Sequence, residues 1–138
     1  MLFGLPVPSL LLIAIAVAVV WIYLPFLVVA YARVQIGKEA LAAPRAAFDK
    51  LPNYAKRATW AHQNALEAFP IFAAAALMAY VTNQTSELAG WAAIVWIIAR
   101  LLFPVFYILN ISLLRSMMFA VGSLCSFTLI GLSLISTL

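Results

Sequence analysis

The chain has 138 residues, 67% of them apolar and 9% charged, with a mean hydropathy of +1.12. Water-soluble domains carry roughly a quarter charged residues, so this composition excludes a soluble fold and defines an integral membrane protein with no room for a second domain. One cysteine and one histidine exclude an internal disulfide and a metal-ligand cluster, and the net charge of +4 comes with no motif that reads nucleic acid.

Crossing roughly 30 Å of hydrocarbon takes about 20 apolar residues. Four segments qualify, predicting an all-α, four-transmembrane-helix bundle over residues 1–138. The first runs from about Val7 to Ala32 without a charge. Ala30-Tyr31-Ala32 imitates a signal-peptide cleavage site, but the basic flank is missing and the apolar run is too long for one. The second begins near Tyr54, where Pro52-Asn53 supplies a turn and an N-cap, and continues to about Val81. At that length its start should protrude into water. The third runs from about Leu88 to Asn110, interrupted by Arg100 and Pro104, and the fourth from about Leu114 to Thr137.

Between the first two spans, QIGKEALAAPRAAFDKLPNYAK holds Lys38, Arg45, Lys50 and Lys56, with Arg33 and Arg57 on its flanks and only Glu39 and Asp49 against them. By the positive-inside rule this loop is cytoplasmic and both termini lie on the other side. The loop TNQTSE has no Lys or Arg, which agrees. Uncharged ends and no targeting signal suit a bacterial inner membrane better than an endoplasmic reticulum membrane.

In the second span Arg57, Trp60, Asn64, Glu67 and Ile71 recur at spacings of three and four and share one helical stripe. Glu67 lies about 15 Å along the axis from Arg57, well inside the hydrocarbon. A lone carboxylate there costs several kcal/mol, so it requires a partner, a proton or a polar cavity. Arg100, ten residues before Asn110, lies at comparable depth and is the simplest partner. The two either lock helices together, with Asn64 bonding across the interface, or wall a polar pocket with Tyr107 on the same face and Arg115 at the rim. His62, off the stripe, reads as an interfacial or hydrogen-bonded residue, Cys125 as a packing residue, and Trp21, Trp91 and Trp96 as belt or packing aromatics.

These residues resemble the membrane-associated proteins in eicosanoid and glutathione metabolism, the MAPEG family. The likeness spans nearly the whole chain, from Arg33, through AHQNALEAFPIF with Asn64, Glu67 and Pro70, to Arg100, Tyr107 and Arg115. It implies four-helix protomers assembled as homotrimers, with sites between neighbouring subunits near the cytoplasmic face. It implies glutathione as the bound cofactor-like substrate, with Asn64 and Glu67 contacting its polar ends, Arg33 and Arg100 pairing its carboxylates, and Tyr107 matching a site tyrosine. Arg115 matches the arginine that activates the thiol. The implied activity is a glutathione transferase, with peroxidase activity as an extension, acting on lipophilic small molecules that arrive from the membrane lipids.

Three positions depart from the family's transferases: Trp60 stands where an arginine is common, Phe103 where a tyrosine or histidine is frequent, and Ala68 where a tyrosine follows the glutamate. Members lacking that arginine act by binding lipid, so a non-catalytic lipid-binding or scaffold protein is the alternative. A small transporter is a third class, but no broken-helix pair or inverted repeat supports it.

Overall fold

The computed structural model describes residues 1–138 as an all-helical chain. Its elements are α1 (Val7–Ile36), the short α2 (Lys38–Ala42), a single 3-10 turn (Phe48–Lys50), α3 (Asn53–Val81), α4 (Glu87–Ile108) and α5 (Ser112–Ile135). Helices α1, α3, α4 and α5 are long and apolar enough to cross a membrane, so the four-span expectation holds. The protein is a multi-pass integral membrane protein. An even number of spans puts residues 1 and 138 on the same side.

The boundaries differ from expectation in physically transparent ways. The first helix runs to Ile36 because Arg33 and Gln35 are good helix formers, and it stops where Gly37 takes φ 111° and its N–H returns to the Arg33 carbonyl. The expected N-cap at Asn53 is not made. Pro52 occupies the cap position with extended backbone, Asn53 is the first helical residue, and no side chain caps the end. Asn110, at φ 62°, lies beyond α4 in the turn to α5, where asparagine tolerates the left-handed region.

Helices α1 and α3, of 30 and 29 residues, are each about 45 Å long at about 1.5 Å per residue. They exceed the hydrocarbon thickness. The charged residues Arg33, Lys56 and Arg57 mark the end where the surplus lies, and the loop of residues 37–52 joins them there. Arg57 Nε donates to the Ile108 carbonyl at 2.9 Å, so a cation satisfies the end of α4, where carbonyls are orphaned and the dipole is negative.

Helix α1 packs chiefly on α3 and α4 chiefly on α5. The core between them is built largely from alanine: Ala14 and Ala18 of α1, Ala75, Ala76 and Ala79 of α3, Ala89, Ala92 and Ala93 of α4. Lipid tails are as apolar as any side chain, so association within a membrane rests on close packing, which small residues permit. Two larger groups fix the layer. The rings of Phe72 and Trp96 stack with centroids 3.8 Å apart, and Trp21 Nε1 donates to the Ile97 carbonyl at 3.0 Å, tying α1 to α4. Cys125 is buried in this core, as its packing role requires.

Candidate functional site

Arg100 projects from the middle of α4 and is only 5% exposed. Its stem passes α5 at Gly122, where an added Cβ would lie 3.2 Å from Arg100 Cδ, so the missing side chain keeps the lane open. The guanidinium lies over the Phe103 ring at 4.4 Å, and Nη2 donates to Asn64 Oδ1 at 2.8 Å. Phe103 thus supplies a ring face for the cation.

The expected Glu67–Arg100 ion pair does not form. The sole ion pair of the fold joins Lys50 to Glu39 in the loop. Depth along the membrane normal matched Glu67 to Arg100, but rotation of the helices decides which group Arg100 meets, and it meets Asn64. An amide oxygen accepts a hydrogen bond without neutralising the cation. Glu67 sits one turn further on, exposed, and takes a hydrogen bond from Gln63 Nε2 at 3.3 Å.

Asn64, Glu67 and Arg100 line one hollow of about 230 Å³ between α3, α4 and α5. Its other walls are Trp96, Phe119, Phe127 and Ile71, with Ser123 and Ser126 on the α5 side. Ala68, small where the family often has tyrosine, leaves this space open. The lining therefore combines charged and polar groups with aromatic and aliphatic ones. Ser126 Oγ donates back to the Gly122 carbonyl, whereas Ser123 makes no such bond.

Tyr107 and Arg115 lie outside this hollow, toward the basic end. The Arg115 guanidinium covers the Tyr107 ring at 4.5 Å, and Tyr107 meets Phe103 edge-on at 5.6 Å. A continuous chain of contacts, Arg115–Tyr107–Phe103–Arg100, therefore links the two arginines. Arg115 occupies the first turn of α5, where the helix dipole disfavours a cation. Helix stability does not account for its place, and the corner it makes is strongly positive. Trp60, 45% exposed, lies between Phe48 of the loop and Tyr107, with centroids at 6.0 and 6.5 Å.

Arg33 is not brought to the others. It lines a second, larger hollow of about 730 Å³ between α1, the loop and α3, with Arg45, Thr59, His62 and Gln63. The α3 residues of the two hollows, 64, 67, 68 and 71 against 59, 62, 63 and 66, face opposite ways at about 100° per residue. The guanidinium of Arg33 lies 6.0 Å from the Phe26 ring, and its Nε is buried without a partner. His62 Nδ1 is 2.8 Å from the Ile22 carbonyl. A carbonyl only accepts, so Nδ1 carries the proton.

Sequence reasoning missed Arg45 and Gln63. Gln63 left a signal, since it stands four residues before Glu67 and such pairs meet on a helix. Arg45 left none, because the loop has no periodicity to place it. At the same end Lys50 Nζ donates to Glu39 at 2.6 Å, and this hydrogen bond, with the lysine's charge, holds the Glu39 carboxyl below its ordinary value.

The architecture defines a class: a four-span membrane protein with an amphiphilic, cation-bearing hollow inside the bilayer. A model of the MAPEG family matches residues 10–135, nearly the whole chain, and the protein belongs to that family. No curated protein and no solved structure matches the chain.

Proposed function

We propose that the protein is a membrane-bound glutathione transferase, with peroxide reduction as a related capability, acting on lipophilic electrophiles. One observation carries this reading: Arg100 is a buried guanidinium inside the membrane whose bonded side-chain partner is a neutral amide, and it opens on a hollow that also holds a carboxylate. A buried charge without its counterion is costly, and an anionic ligand supplies one. Glutathione fits the donor set. Its carboxylates suit guanidinium forks, its ammonium suits Glu67, and Asn64 can both donate and accept.

The chemistry asks little of the protein beyond ionisation and placement. Arg115, at the positive corner of α5, favours the thiolate by lowering the cost of the negative sulfur; the proton leaves to solvent, and the thiolate forms the new carbon–sulfur bond as the electrophile's leaving group departs with its bonding pair or, in an addition, as its π bond breaks and the adjacent carbon takes a proton from water. The electrophile enters along the apolar side of the hollow, past Phe119 and Phe127, which are exposed on the outer surface of α5. Holding both reactants replaces a bimolecular encounter with a local one. We place the basic loop in the cytoplasm, where glutathione is abundant in a bacterial cell, and both chain ends on the far side. Because Arg33 lies on the opposite side of α3 from the hollow, its contribution comes from a neighbouring copy, in keeping with a homotrimer.

Equilibrium dialysis of the detergent-purified protein against glutathione tests the reading, with Glu67→Gln and Arg100→Ala as variants. Saturable binding lost in both supports it, and Arg115→Ala should then retain binding while losing conjugation near neutral pH. Absence of binding to a folded oligomer would overturn it. Trp60, packed on Phe48 and Tyr107 where an arginine would serve as a ligand, favours the second reading, a non-catalytic lipid-binding protein. Fatty acid or lipid co-purifying in the hollow, with no glutathione affinity, would establish it.

A further inference from the structure

The larger hollow, between α1, the loop and α3, changes character along the helix axes. Arg33, Arg45 and Thr59 stand at the end where the spans meet the loop, and no acidic residue lines the hollow. Val29 and Phe26 precede Arg33 on α1 by four and seven residues, which sets them about 6 and 10 Å further into the bundle. Leu66 lies about 10 Å beyond Thr59 on α3 in the same direction, with His62 and Gln63 between. The hollow is therefore a cleft with cations where the spans end and hydrocarbon walls where they enter the bilayer. Leu66 is 51% exposed, so the apolar part is open on the surface of this copy. Arg33 Nε is a buried donor with nothing to donate to, an arrangement that costs free energy unless an acceptor arrives.

We propose that this cleft binds an anionic phospholipid, with Arg33 and Arg45 on its phosphate and an acyl chain along Phe26, Val29 and Leu66. Guanidinium forks match phosphate oxygens, and basic clefts between spans at headgroup depth are where such lipids bind. A soluble phosphate would use only the charged end and leave the apolar walls unfilled, whereas a lipid uses both. The cleft has no carboxylate to answer a choline ammonium, so the headgroup is one of net negative charge, such as phosphatidylglycerol. Arg45 stands on the loop between α2 and the 3-10 turn, so the bound lipid ties that loop to the end of α1. The proposal does not rest on the glutathione reading. Arginine has five N–H donors, so a phosphate at Arg33 Nε leaves others for the contribution assigned to it above.

The test reconstitutes the full-length protein in vesicles of phosphatidylcholine with a minor share of phosphatidylglycerol at physiological ionic strength. The protein is then extracted in mild detergent, and the lipid it retains is counted by native mass spectrometry. Wild type should retain phosphatidylglycerol about tenfold above its share in the vesicle, the effect of one charge-assisted contact. Arg45→Gln should lose most of that enrichment and Arg45→Lys only part of it. Lys38→Gln removes the same charge from the same loop at an exposed position outside the cleft, and should change the enrichment less than about twofold, because exposed charges are screened. Arg45 is itself exposed, so its variants leave the bundle intact, and an unchanged melting temperature in phosphatidylcholine alone checks this. Equal losses in Arg45→Gln and Lys38→Gln would overturn the proposal by reducing the effect to general surface charge. No enrichment in wild type would overturn it outright. Inorganic phosphate and glycerophosphoglycerol, the headgroup without its chains, should not displace the lipid. Displacement by either would overturn the proposal and assign the cleft to a soluble phosphate.

Discussion

Arg100 Nη2 donates to Asn64 Oδ1 at 2.8 Å, joining a buried cation on α4 to a neutral acceptor on α3. The neutrality of that acceptor is what leaves the charge free for a ligand. Asn64→Asp, nearly isosteric, should close the site by supplying a resident counterion. Its melting temperature should rise, since bonds between charged groups are worth about 1.5–3 kcal/mol, while glutathione affinity falls at least about tenfold. Thermal unfolding and equilibrium dialysis on one preparation read both. A variant that binds as well as wild type would show that Arg100 is not the anion's partner.

Trp60 sits between Phe48 and Tyr107 and is partly exposed, so its replacement opens no deep cavity. Trp60→Arg places a guanidinium one turn before Asn64 on the same stripe of α3. Glutathione affinity should increase about tenfold for one added charge-assisted contact. An unchanged affinity would mean that the site does not extend to this turn.

The Phe72–Trp96 stack brings the two closest aromatic rings of the fold together, with centroids 3.8 Å apart. In water-soluble proteins Phe→Ala costs about 3–5 kcal/mol, part of it transfer from water. Here the separated helices keep the ring in lipid, so that part is absent and Phe72→Ala should cost about 1–3 kcal/mol. Unfolding in mixed micelles measures it. A cost at the upper end of the soluble range would mean the site is hydrated when the helices separate.

The Lys50–Glu39 pair lowers the carboxyl's pKa. The folded value lies below the unfolded one, so the tie contributes above the ordinary glutamate pKa of about 4.3 and is lost as pH falls through the lowered value. Lys50→Ala should return Glu39 toward its ordinary value, read from its side-chain carboxyl resonance in a pH titration. Both groups are exposed, so added salt should shrink the shift.

The spans were legible because four long apolar runs leave few alternatives in a bilayer. That Asn64 and Glu67 share one face of α3 was legible from helical spacing, and the structure sets both at one hollow. The partner of Arg100 was not, because depth follows from residue count whereas rotation of α4 depends on how α5 packs at Gly122. Tyr107 and Arg115 meet across the turn at Asn110, which no periodic pattern crosses. Arg33 was named with the other ligands, but its separation from them by the width of α3 emerges only when the helices are in place.

The hydrogen bond from Gln63 to Glu67 runs along the ridge of α3 that divides the two hollows. On the glutathione reading the hollows on opposite flanks serve one ligand, which a two-fold pair that joins only like flanks does not allow. Head-to-tail contact allows it, and such contact either closes into a ring or continues as a filament. On that reading every copy of a closed ring gives one half-site and receives another, so the number of complete sites equals the number of subunits. On the same reading a single copy carrying Arg33→Gln would impair the one site to which it lends that arginine, and a single copy carrying Arg100→Ala a different one.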